Sequence, residues 1–314
     1  MKAYLARRVL SILPVMLIVG IVVFSIIHIT PGDPVAVMLG PDASSEEVEA
    51  ARRALGLDEP ALTQFVSWFG GVLRGDFGYS IFLRKPVLAA IAERAEPTLL
   101  LTSFSCLIAV TLGVGAGLVA AVRRNSWVDQ IIMVIALLGV SMPTFWLGLN
   151  LIYLFALGLD WFPVAGYVPL ADGVKDTFRY LVLPAFTLGF MQIGLIARMT
   201  RSCMVEVMGQ DYIRVARSKG LAERVVIYKH AMRNALIPTI TVIGLSFAIL
   251  MGGAIITETV FTIPGVGRLM ISSVLRRDYP LIQGTVMIIA ALYVLINLMI
   301  DITYVWIDPR IEYV

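Results

Sequence analysis

The sequence predicts an all-α polytopic membrane protein with six transmembrane helices and a small helical extracytoplasmic domain between the first and second. Three observations carry this expectation. The chain of 314 residues is 59% hydrophobic and only 15% charged, with a mean hydropathy of +0.86, whereas soluble domains are about 45–50% apolar and about 25% charged. Six apolar stretches reach the ~20 residues that a helix rising ~1.5 Å per residue needs to cross ~30 Å of hydrocarbon. Lysine and arginine are distributed unevenly around them.

The stretches run from Val9 to Ile29, Thr98 to Val122, Gln130 to Leu157, Tyr180 to Ala197, Ala235 to Ile256 and Ile282 to Ile307. Lys2, Arg7 and Arg8 precede the first, as in a secretory signal. Its apolar core is too long for one and no small-residue cleavage site follows, so it reads as a retained signal anchor. The expected organisation is 1–29 for the N-terminus and first helix, 30–97 for the outer domain, 98–307 for helices two to six with a basic loop at 201–233, and 308–314 for the C-terminal tail.

Orientation follows from the basic residues. With the N-terminus inside, the inner pieces hold Lys2, Arg7, Arg8, Arg123, Arg124, Arg310 and eight more between Arg198 and Arg233, while the short outer loops hold Lys175, Arg179, Arg268, Arg276 and Arg277. That bias places both termini in the cytoplasm, and the net charge of +3 marks sidedness rather than a nucleic-acid surface. The outer segment from Thr30 to Pro97 carries six basic against ten acidic residues. Ser44-Ser45-Glu46-Glu47 is a capping box, Val48, Ala51 and Leu55 share a face, and Gly56 ends that helix. A second amphipathic helix follows Pro60, with Leu62, Phe65, Val66, Phe69 and Leu73 at helical spacing. Two such helices over a membrane need a lid or a partner.

The loop from Arg201 to Arg233 is the most informative segment. Asp211 can cap a helix on which Ile213 and Ala216 face one way and Arg214, Arg217 and Lys219 another, and Gly220 can close it in a left-handed cap. Val225, Tyr228 and Met232 predict a second short helix before Pro238 opens the next span. Residue types alone favour a solvated or lipid-surface basic loop.

Inside the membrane, Gly113 and Gly117 form a GxxxG pair, and Gly244, Ala248 and Gly252 a small-xxx-small series, both read as packing. Pro143 predicts a kink in the third span, facing other helices so that freed carbonyls are satisfied. Asn297 and Asp301, one turn apart, invite a proton-relay reading but are taken as interfacial, as are Glu258 and His28. No chain of ionisable groups crosses the membrane. Cys106 and Cys203 are expected at different depths, which excludes a disulfide, and His28 and His230 are too far apart in sequence to suggest a metal site.

Several longer motifs carry a resemblance. They are His28-Ile29-Thr30-Pro31-Gly32-Asp33-Pro34, Gly75-Asp76-Phe77-Gly78-Tyr79-Ser80, Glu96-Pro97-Thr98-Leu99, and Asp211-Tyr212-Ile213-Arg214-Val215-Ala216-Arg217-Ser218-Lys219-Gly220-Leu221. They continue with His230-Ala231-Met232-Arg233-Asn234-Ala235-Leu236-Ile237-Pro238, Glu258-Thr259-Val260-Phe261-Thr262-Ile263-Pro264-Gly265-Val266-Gly267-Arg268-Leu269 and Arg277-Asp278-Tyr279-Pro280. Over essentially its whole length the chain resembles the B-type permease subunits of bacterial dipeptide, oligopeptide, nickel and glutathione importers of the ATP-binding-cassette (ABC) class.

The resemblance implies the type I ABC importer transmembrane fold. It also implies partners: a second homologous permease, two ATP-binding subunits and a periplasmic solute-binding protein, assembled in the bacterial inner membrane. ATP and Mg²⁺ would be bound by the partner subunits, and no stretch of this chain fits G-x-x-x-x-G-K-[ST]. No covalent chemistry, metal or cofactor is expected in this chain. By the resemblance Asp211, Tyr212, Arg214, Ala216, Arg217, Gly220 and Leu221 couple to the ATPase, and Pro264, Gly265 and Arg268 meet the binding protein. The family's loop motif begins Glu-Ala-Ala, with glycine six residues after the Glu; here that position is Arg214, and only Ala216 keeps its alanine. The alternative from another class is an ion-gradient-driven secondary transporter or channel; a membrane-embedded enzyme ranks third.

Overall fold

The computed structural model describes residues 2–29, 44–54 and 58–307. The expected Leu55–Gly56 helix end and the side chains of His28 and Asp301 lie outside the described residues. The regular secondary structure of the described residues is helical apart from one two-stranded hairpin.

The first helix, α1, is Lys2–Ile29. Two short helices follow, α2 (Ser45–Ala54) and α3 (Ala61–Leu73). The hairpin β1 (Tyr79–Ser80) and β2 (Lys85–Pro86) is antiparallel, with Tyr79 opposite Pro86. Then come α4 (Val87–Val122), α5 (Trp127–Ser141), α6 (Thr144–Gly158), α7 (Val174–Met208), α8 (Asp211–Ser218), α9 (Glu223–Val260), α10 (Val266–Leu275) and α11 (Tyr279–Ile307). Helices α4, α7, α9 and α11 are each long and apolar enough to cross a membrane, and α5 with α6 is so as a broken pair. With α1, 28 residues long, the six expected crossings each have a helix.

Two local expectations are corrected. The third span is not a kinked helix: α5 and α6 meet at 110° across Met142 and Pro143. A proline disfavours helical backbone in the residue before it, and Met142 is extended (φ −84°, ψ 131°) while Pro143 caps α6. The helix therefore ends instead of bending around an orphaned carbonyl, and Pro143 is exposed rather than turned toward other helices. Each half rises only ~22 Å, short of the ~30 Å hydrocarbon layer. The second correction concerns Pro238, which lies inside α9 instead of opening it. The short helix expected around Val225 and Tyr228 is continuous with the span through a π-helical stretch, Val226–Ala231.

The described residues form two compact units, one comprising those up to Glu96 with Gly265–Leu298, the other centred on Pro97–Pro264. In the first, Val87, Ala90, Ile91, Val266, Leu269 and Leu281 make the core. Buried Asp278 accepts hydrogen bonds from Ser80 Oγ (2.5 Å), Phe82 N (3.1 Å) and Leu281 N (3.3 Å). Two motifs quoted from distant parts of the sequence thus meet at the N-terminus of α11, where Asp278 caps the helix and holds the hairpin.

In the second unit α7 is the central helix, packed against α5, α6 and α9. Its approach to α4 and α5 needs residues without a Cβ. A Cβ on Gly117 would lie 2.4 Å from the Ala197 carbonyl oxygen, and one on Gly194 would lie 2.3 Å from that of Ala136. The GxxxG pair is therefore a packing surface, with Gly113 against Ile196. The other small-residue series divides: Gly244 packs on Ile300, whereas Gly252 has nothing within 4 Å. Gly117→Ala is expected to destabilise by about 1–3 kcal/mol through overpacking. Gly115→Ala, at a position open within 4 Å, should leave the thermal midpoint in detergent unchanged; equal midpoints for the two variants would refute the contact.

Candidate functional site

The basic loop folds into a braced hairpin of α8 and the start of α9. Gln210, in extended conformation (φ −76°, ψ 152°), occupies the cap position of α8. Asp211, expected as the cap, is instead the first helical residue, where a carboxylate suits the helix dipole and pairs with Arg214 one turn on (3.2 Å). Ile213 and Ala216 are buried, as their spacing predicts, in a cluster with Met204, Val207, Val226, Ile227 and Ala231. Gly220 closes the helix with φ +75°, and its N–H donates to the Arg217 carbonyl (2.9 Å). The left-handed cap is the one read from sequence.

Four side-chain hydrogen bonds fix α8 against α9. The Arg217 guanidinium donates to both Glu223 oxygens, Nε to Oε2 at 3.2 Å and Nη2 to Oε1 at 2.7 Å. That pairing lies ahead of the apolar part of α9 and holds the Glu223 carboxyl below the usual glutamate range. Tyr212 Oη donates to the His230 carbonyl (3.3 Å) and accepts from Asn234 Nδ2 (2.7 Å). So Tyr212, Ala216 and Arg217 serve the hairpin internally. Among the expected residues Asp211, Arg214, Gly220 and Leu221 remain on the outward surface, together with exposed Val215, Val225 and Tyr228 and the cations Lys219, Arg224 and Lys229. It has an apolar centre and a basic rim.

Of the outer set, Gly265 is buried and caps α10, Arg268 is exposed in the first turn of that helix, and Pro264 is half-buried. The segment that carries this outer set thus contains a helix, α10.

Sequence reasoning missed two polar pairs in the second unit. Arg201 on α7 grips Asp129 on α5 through Nε–Oδ1 (2.5 Å) and Nη2–Oδ2 (2.7 Å). Asp129 is 4% exposed and Arg201 27%. Asp129 also accepts from Asn125 N (2.9 Å), and its own N–H donates to Ser126 Oγ (3.4 Å). The helix cap at Ser126, three residues before Asp129, was a legible signal; the arginine was not. The second pair is at Glu258, which lies near the end of α9, is fully buried and accepts from Thr98 Oγ1 (2.5 Å). Among the described residues no cluster of three His, Cys, Asp or Glu side chains could hold a metal ion, and both cysteines are free.

Comparisons with known proteins agree with this architecture. Residues 113–313 match the family model "Binding-protein-dependent transport system inner membrane component", and residues 1–102 match "Binding-prot-dependent transport system membrane comp, N-term". The chain is 45% identical over its full length and that of the relative to the "Probable peptide ABC transporter permease protein y4tP" of Sinorhizobium fredii. It is 42% identical, again over both full lengths, to the glutathione transport system permease protein GsiC of Escherichia coli K12. Among solved structures it is similar to a chain of the MetNI methionine ABC transporter in an inward-facing conformation, with a TM-score of 0.57 and 17% identity over 70% of this chain and 96% of that one. At that identity the likeness shows the fold, that of type I ABC importer membrane subunits. The six-helix architecture, the family models and the full-length relatives together place the chain in the family of binding-protein-dependent transport system inner membrane components, as an ABC importer permease subunit.

Proposed function

We propose that the α8–α9 hairpin is the element through which ATP-binding partner subunits drive this permease, and that the transported solute is a peptide or a small peptide-like compound. The observation that carries the reading is the mechanical form of α8. It is a short helix closed by Gly220, braced by the Arg217–Glu223 and Tyr212–Asn234 bonds, and joined through Ile213 and Ala216 to the end of α7. A stroke delivered to a stiff element passes into the attached spans without dissipating in a loop. The exposed centre of Val215, Leu221 and Tyr228 with its basic rim suits a groove on a soluble subunit. Names of full-length relatives, a peptide and a glutathione permease, support the solute class.

In the full proposal a second homologous permease completes the pathway, two ATPase subunits hydrolyse ATP with Mg²⁺, and a solute-binding protein delivers cargo from outside. Both termini lie in the cytoplasm, as the basic-residue bias requires. Asp211, Tyr212, Arg214, Ala216, Arg217, Gly220 and Leu221 form the coupling set, and Pro264, Gly265 and Arg268 the outer docking set. A tagged chain extracted from native membranes in mild detergent is expected to bring with it a nucleotide-hydrolysing companion. The Val215→Asp, Leu221→Asp double variant should insert normally and lose that companion. A wild-type chain that never retains ATPase activity, or a double variant that retains it fully, overturns the proposal.

A further inference from the structure

Helix α3 belongs to the outer segment, whose two amphipathic helices need a cover for their apolar faces, and its surroundings point to what supplies it. Its thirteen residues, Ala61–Leu73, contain no charged side chain. Phe65 and Trp68 pack on Phe24 of α1, with ring centroids 5.4 Å and 5.8 Å apart. Deeper along α1, a Cβ on Gly20 would come within 2.8 Å of the Phe69 ring. At 1.5 Å per residue Gly20 lies ~13 Å, and Phe24 ~7 Å, below the end of α1 at Ile29, within the stretch that crosses the hydrocarbon. The rings that α3 turns toward α1 therefore reach acyl-chain depth.

The three faces of α3 fit that position. At 100° per residue Leu62, Val66 and Leu73 project within about 40° of one another, and they are 74%, 63% and 69% exposed. Phe65, Trp68 and Val72 form the adjoining sector, with Val72 buried and the rings against α1. The remaining sector is small and polar: Thr63, Gln64, Ser67, Gly70 and Gly71. Exposed charges stand at both ends, Asp58 and Glu59 before the helix and Arg74 and Asp76 after it. A helix plunging across the leaflet would drag one charged end into hydrocarbon, whereas one lying in the membrane plane keeps both at the headgroups.

We infer that α3 is an in-plane anchor helix, with Leu62, Val66 and Leu73 set into the acyl chains of the leaflet that surrounds the C-terminal half of α1. The partner on this face is lipid. Holding the hairpin and α4 that follow it in the chain at a set height is what such an anchor contributes. The inference rests on α1 crossing the bilayer and is independent of which subunits drive transport.

Spin labels test it in the full transporter in native-lipid membranes. With Cys106 and Cys203 replaced by serine, Leu62→Cys, Val66→Cys and Leu73→Cys are labelled singly, with Thr63→Cys, Ser67→Cys and Glu59→Cys as references. Labels at 62, 66 and 73 are expected to collide with oxygen and to exclude a water-soluble nickel chelate, while those at 59, 63 and 67 do the reverse. The same three cysteines should react with a membrane-impermeant maleimide roughly tenfold more slowly than Glu59→Cys, because thiolate chemistry needs water. Nickel access at 62, 66 and 73 equal to that at 59 would mean an aqueous lid and overturn the inference. So would exclusion of both oxygen and nickel, which means burial under protein, and so would access lost only when a solute-binding protein is added.

Discussion

Asp129→Ala is expected to cost about 3 kcal/mol of stability and to sever the tie between α5 and α7. The alanine leaves the Arg201 guanidinium half-buried without its carboxylate, and breaking such a pair from one side costs ~3–5 kcal/mol when both groups are buried. The 27% exposure of Arg201 places the loss at the lower end. The Asn125 N–H loses its acceptor as well. Thermal unfolding of the purified subunit in detergent reads the loss. A double variant, Asp129→Leu with Arg201→Met, should recover much of it, because replacing both ions by apolar groups removes the stranded charge. Equal losses for the single and double variants would show that the pair is not coupled. Transport should fall with the single variant, since α7 runs directly into α8 and the clamp adds to the packing that makes α5 follow α7.

The second large effect is expected at Gly220. Its φ of +75° is closed to proline, whose ring holds φ near −65°. Gly220→Pro therefore destroys the cap of α8, at a local cost of ~3 kcal/mol or more, and should leave membrane insertion intact while transport and ATPase stimulation fall together. Gly220→Asn is the matched control, because asparagine enters the left-handed region at little cost. Gly220→Ala is intermediate: nothing lies within 4 Å of a Cβ there, so its penalty is the backbone's alone, about 1 kcal/mol. Normal transport by the proline variant would refute the coupling role of this turn, and equal losses for proline and asparagine would locate the defect in the side chain instead of the backbone.

Features set by near neighbours in the sequence were legible from it. Apolar length located the crossings, because a lipid-embedded backbone must satisfy its own hydrogen bonds and only helices of sufficient length do so. The short helix ending at Gly220 was legible for the same local reason, as were the buried pair Ile213 and Ala216 and the packing role of Gly113 and Gly117. The cap was misplaced by one residue, from Gln210 to Asp211, because both can precede a helix and only backbone angles separate them.

What the tertiary structure alone decided is which distant groups meet. Arg201 reaches Asp129 across 72 residues, Thr98 reaches Glu258 across 160, and Ser80 reaches Asp278 across 198. No periodicity encodes such pairs, because hydrophobic patterning says only that a face is buried and not what lies opposite it. The same limit applies to proline: Pro143 ends a helix and Pro238 does not, though both sit in apolar stretches that look alike. The residue before Pro143 is extended whereas the one before Pro238 stays helical, a difference that the prolines themselves do not encode. The amino-acid sequence therefore settled the solvent, the crossings and the left-handed cap, while the contacts between helices settled where a carboxylate could be buried, because only a partner brought from far along the chain satisfies it.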